Sequence, residues 1–428
     1  GIPGTEITPD VEAMLRDCHI GGIVLFERNI KYHRDPKVPV DDIRIAEHVG
    51  KFCNSLQDIA AKSSKRIPLL IAADQEGGKA IVVEGGVTIL PGHMALGATR
   101  SEELAYEAGR ITGEELRAIG INMVLAPVMD INVNVKNDII GTRAFGGTEE
   151  IVSRLGRQFM KGLQAGGVLS VAKHFPGHGD ASEDPHIGLP IVSYGYERLS
   201  TVEIKPFAKL IDSGVDCIMP AHMEYREAFK TQRGLPGSLS PRVIKGELCK
   251  KLKFEGVVIG DDMGMKAVLE GGRTIKSACE LAIRAGTDIV PIAHRPIKES
   301  RNIYQYLLKT FSNPADEAQI INPAVKRILR LKMKLDPELN INNWKTNIDE
   351  IPNKVMTEKN QQIAAHIASE ALTLVSDNNG LTEGTSGQAG EVALLGKVGT
   401  DKQLLVINTP YIRDTLALKI KQKGLHHN

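Results

Sequence analysis

Residues Val168–Pro190 read VLSVAKHFPGHGDASEDPHIGLP. The stretch opens as an apolar run, Val168–Lys173, and then turns polar. The run is short and apolar at almost every position, as in a strand buried on both faces of a parallel sheet. The segment that follows, Lys173–Pro190, carries three histidines, two aspartates, a glutamate and a lysine. Its glycines and prolines favour a loop over a helix. A buried strand running into a loop of ionisable groups is the working unit of an α/β fold, whose sites lie at the carboxyl ends of its strands.

The same unit recurs outward from this stretch. Further apolar runs fall at Gly21–Phe26, Pro68–Ala73, Met123–Asp130, Val215–Pro220, Gly256–Gly260 and Asp288–Ile292. Amphipathic helical segments lie between them: Glu102–Ala118 with Ser101 as N-cap, Ile151–Ala165, Leu199–Ser213 and Ile275–Ala285. Alternation of this kind implies right-handed β–α crossovers and a parallel sheet. Seven runs are visible, and Gly1–Gly4 reads as the tail of an eighth. A closed (β/α)8 TIM-type barrel ending near residue 335 is therefore expected. An open doubly wound sheet is the alternative, but no GxGxxG loop follows the first strands.

The character changes after Leu335. Pro337–Pro352 is rich in Asn, Asp and Pro and reads as a linker. A helix over Met356–Glu370 follows, then short strands at Ala371–Ser376, Val392–Leu395 and Leu404–Asn408, and a last helix, Tyr411–Lys423. The expected division is a barrel over residues 1–335, a linker and helix over 336–370, and an incomplete αβα sandwich-like domain over 371–428.

Composition narrows the function. The formal net charge is +1, so a general affinity for nucleic acid or anionic membranes is not expected. No apolar run has the length of a membrane span. The five cysteines are widely spaced without a CxxC pair, and read as reduced thiols of a cytoplasmic or intracellular protein. The opening GIPGTEITPD has neither Met nor signal peptide and looks like a cut inside an element.

Ionisable residues gather where the strands end. Asp74-Gln75-Glu76-Gly77-Gly78 follows the second run, and Asn132 and the segment Gly141–Gly146 follow the third. His222 follows Cys217–Pro220, and Asp261 and Asp262 follow Val257–Gly260. Five strand ends carrying such groups point to one polar mouth.

KHFPGHGD followed by D-x-H resembles the signature of family 3 glycoside hydrolases, in the β-N-acetylglucosaminidase branch. DQEGG, APVMDIN, IGTRAFG, MPAHM and GDDMGM match further blocks of that family in the same order. The resemblance spans the chain to about residue 335. It implies Asp261 as nucleophile and His186 as general acid/base, oriented by Asp184. It implies that Asp74, Arg143, Lys173, His174 and His178 hold the sugar. The implied substrate is a small molecule or oligosaccharide containing N-acetylglucosamine, with no cofactor. Two positions depart from the pattern. Pro185 replaces a small polar residue within D-x-H, and Lys79 stands where an arginine is common after the paired glycines.

The chemistry fits these residue types. Glycosidic cleavage passes through an oxocarbenium-like transition state, which needs an anion below the anomeric carbon and a proton donor at the leaving oxygen. A histidine exchanges protons near neutrality, and an adjacent aspartate fixes its tautomer. Nucleophile and acid/base together imply retention of configuration.

Other readings compete. A histidine that has given up its proton is neutral and repels an anionic acceptor less, so the same site would serve a β-N-acetylglucosaminide phosphorylase. A β-glucosidase of the same family is a further alternative. His174, His178, Asp180, Asp184 and His186 also form a ligand set for a metal-dependent barrel hydrolase. A barrel that binds sugar without cleaving it is a third class. Asp261 alternatively caps the next helix, with Asp262 or neither aspartate as the nucleophile. His178 and His222 alternatively brace loops, Asp130 supports the site from behind, and Trp344 packs against the barrel.

Overall fold

The computed structural model describes residues 1–30, 43–134, 137–179, 181 and 188–372. Its centre is a curled parallel sheet of six strands in sequence order: β1 (Gly22–Val24), β2 (Leu70–Ala73), β5 (Met123–Val124), β6 (Leu169–Phe175), β7 (Cys217–Pro220) and β8 (Val257–Val258). A parallel bridge from Ile259 to Ile289 carries the sheet one position further. After β2 the DQEGG segment folds into a small antiparallel hairpin, β3 (Gln75–Gly77) with β4 (Ala80–Ile81), which the sequence patterning did not reveal.

Parity along the strands divides the core in two. Leu70, Ala72, Met123, Leu125, Leu169, Val171, Cys217, Met219, Val257 and Ile259 form one buried cluster on the concave face. Their alternates Ile71, Ala73, Val124, Ala172, Ile218 and Val258 pack outward with the helices. Successive residues of a strand face opposite sides, so a strand covered on both faces is apolar throughout. This is why the runs read as continuous rather than alternating.

The expected helices form with their caps. Glu102–Ala118 starts where Ser101 Oγ accepts the Leu104 N–H, and Ile275–Ala285 starts at a Thr274–Ser277 capping box. Leu199–Ser213 is not one helix but two, Tyr196–Thr201 and Lys205–Asp212. Val202 leaves helical geometry, and Pro206 sits in the first turn of the second helix, where its missing N–H is not needed. Of Met123–Asp130 only the first two residues join a ladder, with a lone bridge at Val128. Gly1–Gly4 forms no strand, and the main-chain nitrogen of Gly1 donates to the Ile292 carbonyl.

The amino-terminal end of the sheet is plugged. Leu331 and Trp344, 3% and 1% exposed, complete the concave cluster from below. The helix Asn322–Leu335 is pinned there by Lys332, which donates to the carbonyls of Gly21 and Pro68, by Lys334 on Asp216 and by Arg327 on Asp288. The stretch read as a linker is seated on this domain: Asn54 and Thr346 exchange hydrogen bonds, and Ile351 is buried. The helix beyond it, Glu358–Glu370, is tied through Asn360 to the buried carboxylate of Glu115. The three strands and the last helix expected from residue 371 onward lie outside the described residues, apart from Ala371 and Leu372.

Burial pushes the Lys332 ammonium down to about 8 from an ordinary 10.5. Between those values the unfolded chain binds more protons than the folded one, so this group makes stability rise with pH across that window. Urea melts at pH 7.5 and 9.5 should show that Lys332→Met removes this rise relative to wild type. An unchanged pH dependence would mean that the ammonium is better solvated than its burial implies.

Candidate active site

Three strands deliver side chains to one cavity by counting in twos. After Leu70 and Ala72 the next concave-facing residue is Asp74. After Leu169 and Val171 it is Lys173, and after Val257 and Ile259 it is Asp261. All three line a cavity of about 700 Å3 whose floor includes Leu125, Met219 and Ile259. Arg143, His174 and His178 line it as well. Of the eight residues expected from the sequence, six therefore meet in one cup. Asp184 and His186 lie outside the described residues.

The cup is organised around a carboxylate to which the sequence reading gave no role. Glu76, on β3, is 2% exposed. Its two oxygens accept from Arg143 Nε and Nη2, both at 2.8 Å, and Oε1 lies 2.7 Å from Lys173 Nζ. Lys173 Nζ also lies 2.5 Å from Asp74 Oδ1. Burial favours the neutral acid at Glu76, but the Lys173 and Arg143 charges outweigh it and hold the carboxyl far below its usual range. Burial likewise opposes the Lys173 charge, and Asp74 and Glu76 raise its pKa on balance. Charged partners in two-against-two balance are what make this burial tolerable. The signal was available, since Glu76 shares the parity of Asp74.

Arg143 is aimed from behind. It ends a tight turn, Gly141–Arg143, whose last carbonyl accepts from His93 Nδ1 at 2.9 Å. His93 is fully buried and stacked on Phe145, with ring centroids 4.2 Å apart, and burial pushes it down to about 4. It is therefore a neutral donor at working pH.

His174 is oriented in the same manner. Its Nδ1–H donates to Asp130 Oδ2 at 2.7 Å, which leaves Nε2 for the cavity. Asp130 is inaccessible to solvent and also accepts the main-chain N–H of His178 at 2.6 Å. It thus stands behind the site. His178 is 3% exposed, and burial pushes it down to about 4. Its Nδ1 has no hydrogen-bond partner among the described residues.

The two adjacent aspartates differ in what they hold. Asp262 Oδ1 accepts the N–H groups of Gly264 (3.1 Å) and Ala293 (2.9 Å), so its carboxylate ties the loop together. Asp261 accepts one main-chain N–H, that of Asp262 at 2.7 Å, and otherwise faces the cavity. Burial alone would raise the Asp261 pKa, but His222, His174, the Asp262 N–H and Lys173 lower it on balance. An anion is thus kept ionised at the cavity wall.

Among the described residues no three His, Cys, Asp or Glu side chains are grouped to hold a metal ion. Asp180, Asp184 and His186 of the rival ligand set lie outside them. No helix among the described residues is long and apolar enough to cross a membrane.

A curled parallel sheet with a charged cup at its carboxyl ends is the plan of an α/β enzyme that works at its strand ends. The chain belongs to glycosyl hydrolase family 3: the family's N-terminal domain matches residues 2–331, and the protein is a glycoside hydrolase. A β-hexosaminidase of Thioalkalivibrio sulfidiphilus is 34% identical over 306 residues, covering 70% of this chain and 81% of that protein. The family 3 β-N-acetylglucosaminidase of Paenibacillus sp. superposes with a TM-score of 0.76 at 36% identity, covering 87% of this chain and 66% of that one. An enzyme of Neisseria gonorrhoeae, solved with N-trifluoroacetyl-D-glucosamine, superposes at 0.64 with 28% identity over 86% of this chain and 96% of its own.

Proposed function

We propose that this protein is a retaining, exo-acting β-N-acetylglucosaminidase whose sheet closes as a (β/α)8 barrel. Asp261 attacks the anomeric carbon and forms a glycosyl-aspartate. His186, oriented by Asp184, gives its proton to the leaving oxygen and then takes one from water. Atoms balance over the two steps: the glycosidic C–O bond breaks as the Asp261–C1 bond forms, and water then replaces the aspartate. Asp74, Arg143, Lys173, His174 and His178 hold the non-reducing sugar. The N-acetyl preference rests on the relatives, which are β-hexosaminidases and β-N-acetylglucosaminidases by name.

The observation that carries this reading is the asymmetry of the aspartate pair. Both aspartates line the cup, but Asp262 commits Oδ1 to the N–H groups of Gly264 and Ala293. Asp261 accepts a single main-chain N–H, and its charge is favoured by the His222, His174 and Lys173 side chains around it. Nitrophenyl N-acetylglucosaminide, glucoside and N-acetylgalactosaminide, assayed with and without phosphate and EDTA, test it. Preferential release from the first, unchanged by EDTA, is expected. Sugar 1-phosphate formed only with phosphate present would move the assignment to a phosphorylase, and loss of activity in EDTA would move it to a metal hydrolase.

The pH profile of kcat/KM should be asymmetric. Activity needs Asp261 ionised, and its pKa lies below 3.8, so the acid limb falls below the usual carboxylate range. Activity also needs the acid/base histidine protonated, so the rate falls as pH rises through its pKa, ordinarily about 6.5. In His186→Ala the basic limb should flatten for an activated aryl glycoside. A basic limb that survives this substitution unchanged would assign the proton donor elsewhere.

A further inference from the structure

His222 is a buried histidine at the cavity that the reaction scheme above leaves unused. It follows β7 and is 2% exposed. Its Nε2 lies 3.2 Å from the carbonyl oxygen of Asp262, and its Nδ1 lies 2.7 Å from Ser238 Oγ. A carbonyl only accepts, so Nε2 carries the hydrogen. In the neutral ring Nδ1 then accepts from the Ser238 hydroxyl, and Ser238 is itself 1% exposed. The charged or titratable groups facing the ring are Asp261, Asp262 and His174.

The gripped carbonyl belongs to the residue whose N–H holds Asp261 Oδ1. The same residue's carboxylate holds Gly264 and Ala293, and its carbonyl also accepts from Met265 N–H at 3.1 Å. The turn after β8 is thus held by its own Gly264 and Met265 N–H groups, by the Ala293 N–H from the segment on one side, and by His222, the side chain reaching in from β7 on the other.

We infer that His222 is a positioning residue that aims the Asp261 carboxylate at the sugar by clamping the Asp262 carbonyl, with Ser238 fixing its tautomer. This rests on the reading of Asp261 as nucleophile. It extends that reading by making the angle of attack depend on a side chain from the adjacent strand.

The test compares His222→Leu, His222→Gln and Ser238→Ala in the full chain, with dinitrophenyl N-acetylglucosaminide as substrate. That leaving group needs no acid, so the rate reports attack by the aspartate. His222→Leu should lower kcat/KM, which reports the steps up to attack and departure of the phenolate, about 100-fold, the scale of a misplacement of roughly 1 Å, while inhibition by free N-acetylglucosamine stays unchanged. The Gln amide donates from about the position of Nε2, so His222→Gln should recover most of that loss. Ser238→Ala should fall between wild type and His222→Leu. Leu and Gln variants that lose activity equally, or in step with their thermal midpoints, would overturn the inference, as would a fully active Leu variant. If Asp261→Asn remains active, the nucleophile assignment fails instead, and the two failures are distinct.

Discussion

Asp261→Asn should lower kcat about 10⁴-fold or more while leaving the fold intact. The amide keeps the shape and still accepts the Asp262 N–H, so little packing is lost. What disappears is the anion that forms the covalent intermediate. KM should move little, because Lys173, Arg143 and His174 remain in place. Asp261→Gly goes further by opening a hole on that face of the sugar. With an activated aryl glycoside, azide should enter the hole and yield a glycosyl azide of inverted configuration, identified by NMR. Asp262→Asn is the control, since its amide oxygen can still accept from Gly264 and Ala293. Near-normal turnover by Asp261→Asn alongside an inactive Asp262→Asn would transfer the nucleophile to the second aspartate.

Glu76→Ala should destabilise the protein by about 3–5 kcal/mol, read from urea melts. The cost arises from the partners left behind rather than from the lost pair itself. Lys173 and Arg143, at 3% and 18% side-chain exposure, would keep their charges with only Asp74 to answer them. Glu76→Gln should cost less, because the amide preserves an acceptor for Arg143. Combining Glu76→Gln with Lys173→Met should recover part of the loss, since the surplus cation is removed with its partner. Activity should still fall sharply in the double variant, because Lys173 lines the cavity. A Glu76→Ala protein as stable as wild type would mean that water reaches the cluster and screens it.

Several elements were legible because the local signal and the tertiary demand agree. Ser101 caps the helix that its sequence context announces, and the helix expected over Ile275–Ala285 forms with those bounds. Trp344 packs beneath the sheet, as expected of a lone tryptophan in an Asn- and Asp-rich stretch. Other features were hidden. The break near Val202 lies in an apolar pattern that runs on through both helices, so periodicity could not show it. The DQEGG hairpin has a pairing of only a few residues, too short for alternation to register. Glu76 was in view but given no role, because a carboxylate's partners across 67 and 97 residues cannot be read from its neighbours.

The sequence by itself determined the plan: strands apolar at every position, helices between them, and ionisable residues clustered where the strands end. Those are local properties, written in the hydrophobic period and in the chemistry of caps and turns. Only the tertiary structure decided how the charges share the cup. It made Glu76 the common partner of Lys173 and Arg143, and placed Asp130 behind His174. It also committed Oδ1 of Asp262 to two loop N–H groups while leaving Asp261 with a single main-chain N–H at the cavity wall. Those outcomes depend on distances between strands far apart in the chain, and ion pairing in a buried site is set by distance and desolvation rather than by sequence order.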